Sequence, residues 1–240
     1  MGCSTFEVLH ATFFPGLQPD AVKSNLRRLC ADPPDYRYLR PERLDAHRTF
    51  YRLTHRGIKF LGASKRLVMP LGPQTRIEKY ALLWLCFLEK NARRVLLNLK
   101  HHRNRFPMHG HTVPRHPLVL EKRGDQAHLA MVLIDYCASH RRIAVKAADQ
   151  LLRILQNGLF EDEIRSRAFR FVILTYNQGK KQAIERVLRP LLLGYLRKKS
   201  PITKVSVGPG QEVELEILVV PGLENLLLTQ GRPFEGKGRK

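Results

Sequence analysis

Residues 50–62 read "FYRLTHRGIKFLG". An aromatic, β-favouring run leads straight into Thr54, and a short basic helical pattern follows. Threonine is a good helix N-cap, because its hydroxyl accepts from the first free backbone N–H groups of the helix that follows. The spacing predicts that Ile58, Phe60 and Leu61 pack this helix back on its domain, and that Gly57 permits a close approach. Just upstream, "DYRYL" and "RTFYRL" read as two strands joined by the loop "RPERLDAH". Tyr36, Tyr38, Phe50 and Leu53 carry their alternation.

Towards the start, "CSTFEVLHATFFPG" predicts a short helix capped by Ser4 or Thr5 and ended at Pro15-Gly16. "PDAVKSNLRRLCA" predicts a second helix, with Pro19 in its first turn and Asp20 at its positive end. Ala21, Val22, Leu26, Leu29 and Cys30 share one face, while Lys23, Ser24, Arg27 and Arg28 lie mainly on the others. Helix, turn, basic helix, hairpin and return helix make up the plan of a winged helix-turn-helix. In such modules the second helix enters the major groove of DNA. Gln18, Asp20, Lys23 and Ser24, near the start of that helix, are the candidate base readers. Arg27, Arg28, Arg43, Arg48 and Arg52 are the candidate phosphate contacts, with Arg56 and Lys59 flanking them. The competing reading is a protein-binding module whose arginines form a solvated face.

The charge balance favours nucleic acid. The 240 residues carry 42 Lys and Arg against 21 Asp and Glu, a formal net charge of +21. Such an excess repels itself unless an anionic partner screens it, and double-stranded DNA is the expected one. The four cysteines, Cys3, Cys30, Cys86 and Cys137, form no CxxC pair and read as reduced, buried thiols rather than a zinc site. The first residues lack a basic leader and a cleavage site, and "MGCSTF" misses the myristoylation pattern at Phe6. No apolar run reaches the ~18 residues of a transmembrane helix. The expectation is a cytoplasmic protein with no membrane partner.

The fold class expected is α+β. Residues 1–62 form the winged-helix domain, 63–116 a helix and a basic, His-rich connector, 117–228 an α/β domain, and 229–240 a disordered basic tail. The second stretch contains "TRIEKYALLWLCFLEKNARRVLLNLKHH", with one strong helix whose broad apolar face includes Ile77, Tyr80, Trp84 and Phe87. So wide a face suits burial between domains or in a homodimer. In the third stretch, "PLVLEK" and "HLAMVLIDYC" form a hairpin across "RGDQ". A helix "RRIAVKAADQLLRILQNG", a strand "FRFVILTY", a helix "KKQAIERVLRPLLLGYLRKK" and strands "KVSVG" and "VELEILVV" follow.

Two constellations invite chemistry. "KHHRNRFPMHGHTVPRH" carries His101, His102, His109, His111 and His116, but no Asp, Glu or Cys lies between Asn91 and Pro117. Interspersed arginines would repel a dication, so the segment reads as a basic connector that tracks a DNA backbone, and no metal or other cofactor is expected. "LIDYCASHRRIAVKAAD" offers Asp135, His140 and Lys146. Metal-dependent phosphodiester cleavage needs two or more carboxylates around the ion. Asp135 has only Leu133 and Cys137 at two residues either side, though Glu121 and Asp125 could approach from the hairpin. "TYNQGKK" lacks the first glycine of a phosphate-binding loop.

The runs "LHATFFPGLQPDAVKSNLRRLC", "YRLTHRGIKFLG", "LIDYCASHRRIAVKAADQLLRIL" and "FRFVILTYNQGKKQAIERVL", in that order, resemble the plasmid replication-relaxation family. These are DNA-associated proteins of plasmids and integrative elements. The resemblance implies an N-terminal winged helix and a C-terminal domain similar to a restriction-endonuclease core that does not cleave. Leu133 stands where such members often carry an acidic residue two before the strand-end Asp. Winged helices also generally carry a helix before the helix-turn-helix pair, and here at most three residues precede it. The expected function is that of a non-enzymatic DNA-binding accessory protein of a mobile element, acting in replication, mobilisation (conjugation) or transcriptional control. The alternatives are a metal-dependent nuclease using Asp135, and a scaffold whose Trp84 helix docks a relaxase, a replication protein or a second copy.

Overall fold

The computed structural model describes residues 3–31, 37–45, 47–89, 93–97, 116–156, 158–192, 204–208 and 211–230. It is a mixed α+β structure with two sheets. The chain divides into two compact units, Met1–Leu88 with Gly222–Lys240, and Glu89–Pro221. Among the described residues no helix is long and apolar enough to cross a membrane.

In the first unit β1 (Cys3–Thr5) leads into α1 (Phe6–Phe13), where the Thr5 hydroxyl accepts from the Val8 N–H at 3.4 Å. α2 (Pro19–Leu29) follows, anchored by the buried Val22 and Leu26. β2 (Leu39–Arg43) and β3 (Thr49–Leu53) form a hairpin, and β1 pairs with the other edge of β3, giving an antiparallel sheet ordered β1–β3–β2. The hairpin sits further along than the expected strand over 35–39. Pro41 cannot donate to a ladder, but β2 is the edge of the sheet and accommodates it. Asp45 then makes a tight turn, its carboxylate accepting from the N–H groups of His47 at 2.8 Å and Arg48 at 2.7 Å. Tyr36 lies outside the described residues.

The Thr54 cap is in place: its hydroxyl accepts from the Gly57 N–H at 3.1 Å and starts α3 (His55–Phe60). The Thr54 N–H donates to the Tyr38 carbonyl at 3.1 Å. A Cβ on Gly57 would stand 2.3 Å from that same carbonyl oxygen. Close approach of the helix to the entrance of β2 therefore requires glycine. Ile58 is buried as expected, but Phe60 and Leu61 are 75% and 60% exposed. A helix of six residues turns only one flank inward, and that flank is taken by Gly57 and Ile58.

After a 3-10 turn (Lys65–Val68), α4 (Pro73–Leu83) buries Ile77, Tyr80, Ala81, Leu82 and Leu83 and passes into a π-helical turn (Trp84–Leu88). α4 packs against β1, and the π turn packs against α1. The expected helix is thus α4 with the π turn, ending at Leu88, and Arg93–Leu96 is a strand, β4. Pairing with β5 takes those residues despite their helical spacing, since a ladder formed across the fold outweighs a local pattern. The last element of this unit, α8 (Leu223–Gln230), was not expected. Gly222, at φ +73°, lies in the turn that leads into it, and Leu223 and Leu226 are buried. The expected tail thus begins inside α8, and residues 231–240 lie outside the described residues.

The second unit holds a six-stranded sheet ordered β4–β5–β6–β7–β9–β8. β5 (Leu118–Arg123) and β6 (Gln126–Ile134) form the expected hairpin, closed by Gly124 at φ +58°. β6, β7 (Phe169–Thr175) and β9 (Gln211–Val219) are parallel; β4, β5 and β8 (Lys204–Gly208) are antiparallel flanks. The crossovers are α5 (His140–Gln156) with α6 (Glu161–Arg165), and α7 (Gln178–Leu191). α5 and α7 pack together, and Leu129, Met131, Phe171, Ile173, Leu215 and Ile217 join them in one core. α6 was not expected; five residues are too few for a periodic signal. All four cysteines are free; Cys3 and Cys86 are buried, whereas Cys137 is exposed, in the loop after β6 at φ +71°.

β7 is buried along its whole length, yet it carries Arg170. This guanidinium pairs with Glu121 from β5 and with Glu214 and Glu216 from β9. Glu121 also takes Arg94 at 3.4 Å and Arg123 at 3.2 Å. Burial alone would raise the Glu121 carboxyl; Arg170, Arg94 and Arg123 outweigh it and hold the group below the ordinary carboxylate range.

Gly57→Ala is expected to destabilise the chain by about 3 kcal/mol through overpacking, where an ordinary helical Gly→Ala would stabilise. Thermal unfolding followed by circular dichroism gives the sign. The second prediction concerns pH. A carboxyl held low in the folded state adds stability above its unfolded pKa and loses it as pH falls through the folded value. Glu121→Gln should therefore cost about 3 kcal/mol near pH ~7, with the difference from wild type shrinking below pH ~4, as read by denaturant titrations.

Candidate nucleic-acid interface

α2 presents a charged face because its apolar residues are few and in register. Val22 and Leu26 are one helical turn apart and both buried. Asp20, Lys23, Ser24, Arg27 and Arg28 are all exposed, as is Gln18, the residue that begins the helix without a side-chain cap. Lys23 lies 3.1 Å from Asp20 and 5.7 Å from the centre of the Phe6 ring. Pairs this exposed contribute little to stability and are easily exchanged for another partner. Arg27 and Arg28 occupy the last turn, where the helix dipole favours cations, and form no ion pair among the described residues. The Tyr38 N–H donates to the Leu29 carbonyl at 3.1 Å, tying the exit of α2 to the entrance of the hairpin.

The hairpin arginines divide. Arg43 is exposed, with its Nε donating to the Asp45 carbonyl at 3.1 Å. Arg48 turns inward: its Nε donates to the buried Asp45 carboxylate at 2.7 Å, its terminal nitrogen donates to the Gly222 carbonyl, and its guanidinium lies 4.2 Å from the centre of the Tyr80 ring. Burial alone would raise the Asp45 carboxyl, but Arg48 and the two turn N–H groups bring it below its ordinary value. Arg52 is 4% exposed and joins Glu42 to the carbonyls of Val68 and Met69. Arg48 and Arg52 therefore sit inside the unit as structural cross-links, not on its outer face. Sequence spacing cannot distinguish them from Arg43, since an alternating strand places arginines on both faces. Lys59 is exposed on α3, and Arg56 stacks 5.0 Å from the centre of the Tyr38 ring.

Of the His-rich segment, 100–115 lies outside the described residues. His116 is half-buried against Gln150. Among the described residues no cluster of three or more His, Cys, Asp and Glu could hold a metal ion.

Asp135 stands at the carboxyl end of β6, fully buried. Its carboxylate accepts from the Ala138 N–H at 3.2 Å and from the Thr175 hydroxyl at 3.1 Å, and the Lys180 ammonium is 3.9 Å away. Lys180 also donates to the Ala138 carbonyl, and Asn177 caps α7 by accepting from the Lys180 N–H at 2.8 Å. Burial raises the Asp135 carboxyl, with Lys180, Thr175 and Ala138 opposing. Asp135 thus clamps the loop after β6 to the start of α7. The carboxylates that could have joined it do not. Glu121 is paired across the ladder with His128, seven residues back along β6, or about 23 Å at strand rise. Asp125 lies further still, in the exposed hairpin turn. Lys146 is exposed on α5.

Comparison of the chain with protein-family models, with curated proteins and with solved structures returns no match.

Proposed function

We propose that this chain is a non-catalytic DNA-binding accessory protein of a mobile genetic element, acting in plasmid replication, mobilisation or transcriptional control. The observation that carries the reading is the outer face of α2, where Lys23, Arg27 and Arg28 are exposed on a chain of net charge +21. The order strand, helix, helix, hairpin, with β1 paired to β3, supports a winged helix-turn-helix in the first unit. The packing of α4 and the π turn on β1 and α1 supports it further, since these elements occupy the role of the helix that usually precedes the pair. In the second unit, an antiparallel three-strand meander followed by a helix and a parallel strand favours a restriction-endonuclease-like core, in keeping with the resemblance to the replication-relaxation family. Gln18, Asp20, Lys23 and Ser24 read base edges in this account; Arg27, Arg28 and Arg43 hold phosphates.

A scaffold role has one specific observation in its favour. The first unit has an apolar groove that exposes Phe13, Leu29 and Phe87, which suits a protein partner such as a relaxase or a replication protein.

Reversing Lys23 and Arg27 to Glu should weaken binding to duplex DNA at least tenfold at moderate salt and flatten the salt dependence by about two contacts, near 1.8 in slope. Fluorescence anisotropy across a salt series measures both; unchanged binding would overturn the reading. The nuclease alternative makes a different demand on Asp135. With supercoiled plasmid and Mg²⁺ or Mn²⁺, wild type and Asp135→Asn should both leave the plasmid intact, while the variant melts at a shifted temperature because its clamp has changed. Nicking by wild type that Asp135→Asn abolishes would establish the enzyme instead.

A further inference from the structure

α5 has two faces with separate tasks. Ile143, Ala144, Ala147, Ala148, Leu151 and Ile154 are buried in the core of the second unit. The opposite face carries Arg141, Arg142, Lys146 and Arg153, all exposed, and lines a cleft of about 560 Å³. Arg142, Lys146 and Arg153 follow one another at i, i+4 and i+11, which puts them on one stripe of the helix. From Arg141 to Arg153 the stripe is about 18 Å long at helical rise.

Among the described residues these charges are not neutralised locally. Among the described residues none of the four makes an ion pair with a carboxylate, although Asp149 lies within one turn of both Lys146 and Arg153. The neighbouring His116 is held to about 4 by burial and by Lys146, so it adds no charge near neutral pH. Four cations against one carboxylate along a groove is an arrangement that exposed surfaces normally avoid.

We propose that the α5 cleft is a second DNA contact, separate from α2, that binds the backbone phosphates of duplex DNA without reading bases. Length favours a polymer over a single anion. Phosphates of one strand recur about every 3.4 Å of duplex axis, so a stripe of this length spans several of them. Asp149 divides it into a cluster of Arg141, Arg142 and Lys146 and a separate Arg153, suited to successive phosphates rather than one. The described exposed face of α5 carries no Phe, Tyr or Trp, so it offers no large apolar ring to insert into lipid or to form a stacking platform for single-stranded bases. The contact is electrostatic, open and unspecific in sequence.

The proposal rests on the chain binding DNA, but not on α2 being its reader. Three full-length proteins separate the two: wild type, Lys23→Glu with Arg27→Glu, and Arg141→Ala with Arg142→Ala, Lys146→Ala and Arg153→Ala. Each, together with the single variant Lys146→Glu, is titrated with random-sequence duplex DNA and with single-stranded RNA over a salt series. The α5 variant should lose about 3 to 4 units of slope in log affinity against log salt, at about 0.9 for each phosphate contact, with an unchanged melting temperature. Lys146→Glu alone should lose about 1 unit, which guards against misfolding of the quadruple variant. The α2 variant should retain the α5 share of the slope. Wild-type slope and affinity in both α5 variants would overturn the proposal and leave the α2 reading standing. Loss confined to single-stranded RNA would overturn the assignment to duplex DNA, and absence of duplex binding by wild type would remove both.

Discussion

The buried contact between Arg170 and Glu121 sets the terms for the rest of the chain. A guanidinium in the fully buried strand β7 cannot stand without counter-charge, and it draws carboxylates from β5 and β9. The same happens elsewhere. Glu42 pairs with Arg52, Asp45 with Arg48, Glu89 with Arg94, and Asp135 with Lys180. The chain has half as many acidic as basic residues, and these interior pairs take up both signs alike, so the surplus of cations is left for the surface. Positive charge on α2 and on α5 is part of that surplus. The two surfaces that we propose for DNA follow from that imbalance.

Within the first unit a second constraint acts, steric rather than electrostatic. The Tyr38 carbonyl accepts from the Thr54 N–H and lies against the bare face of Gly57. That contact brings α3 onto the start of the hairpin, and the hairpin follows directly from α2. The cap at Thr54 and the turn at Asp45 are local devices, each satisfying backbone N–H groups with one side chain. Together they hold β3 between β1 and β2, and this fixes the base on which α1 and α2 rest.

What could be read from the sequence was local and periodic. The caps at Thr5 and Thr54, the start of α2 at Pro19, the turn at Gly124 and the apolar run of β7 all left direct marks. Elements defined by distant partners did not. Arg93–Leu96 continues a helical pattern and becomes a strand only because β5 offers it a ladder. The fates of Arg43, Arg48 and Arg52 were equally hidden, since the partners that bury the last two, Gly222, Val68 and Met69, lie beyond any local window. Asp135 was legible as a strand-end acid, but its task was not: the clamp depends on Thr175 and Lys180, some forty positions later.

The central claim is that DNA lies against the outer face of α2. Backbone amide exchange on the full chain, with and without duplex DNA, addresses it without altering a residue. The account predicts slower exchange in the peptides spanning Gln18–Leu29 when DNA is present, with the buried strand β7 unchanged. Unaltered exchange across Gln18–Leu29 under conditions where the DNA is demonstrably bound would contradict it.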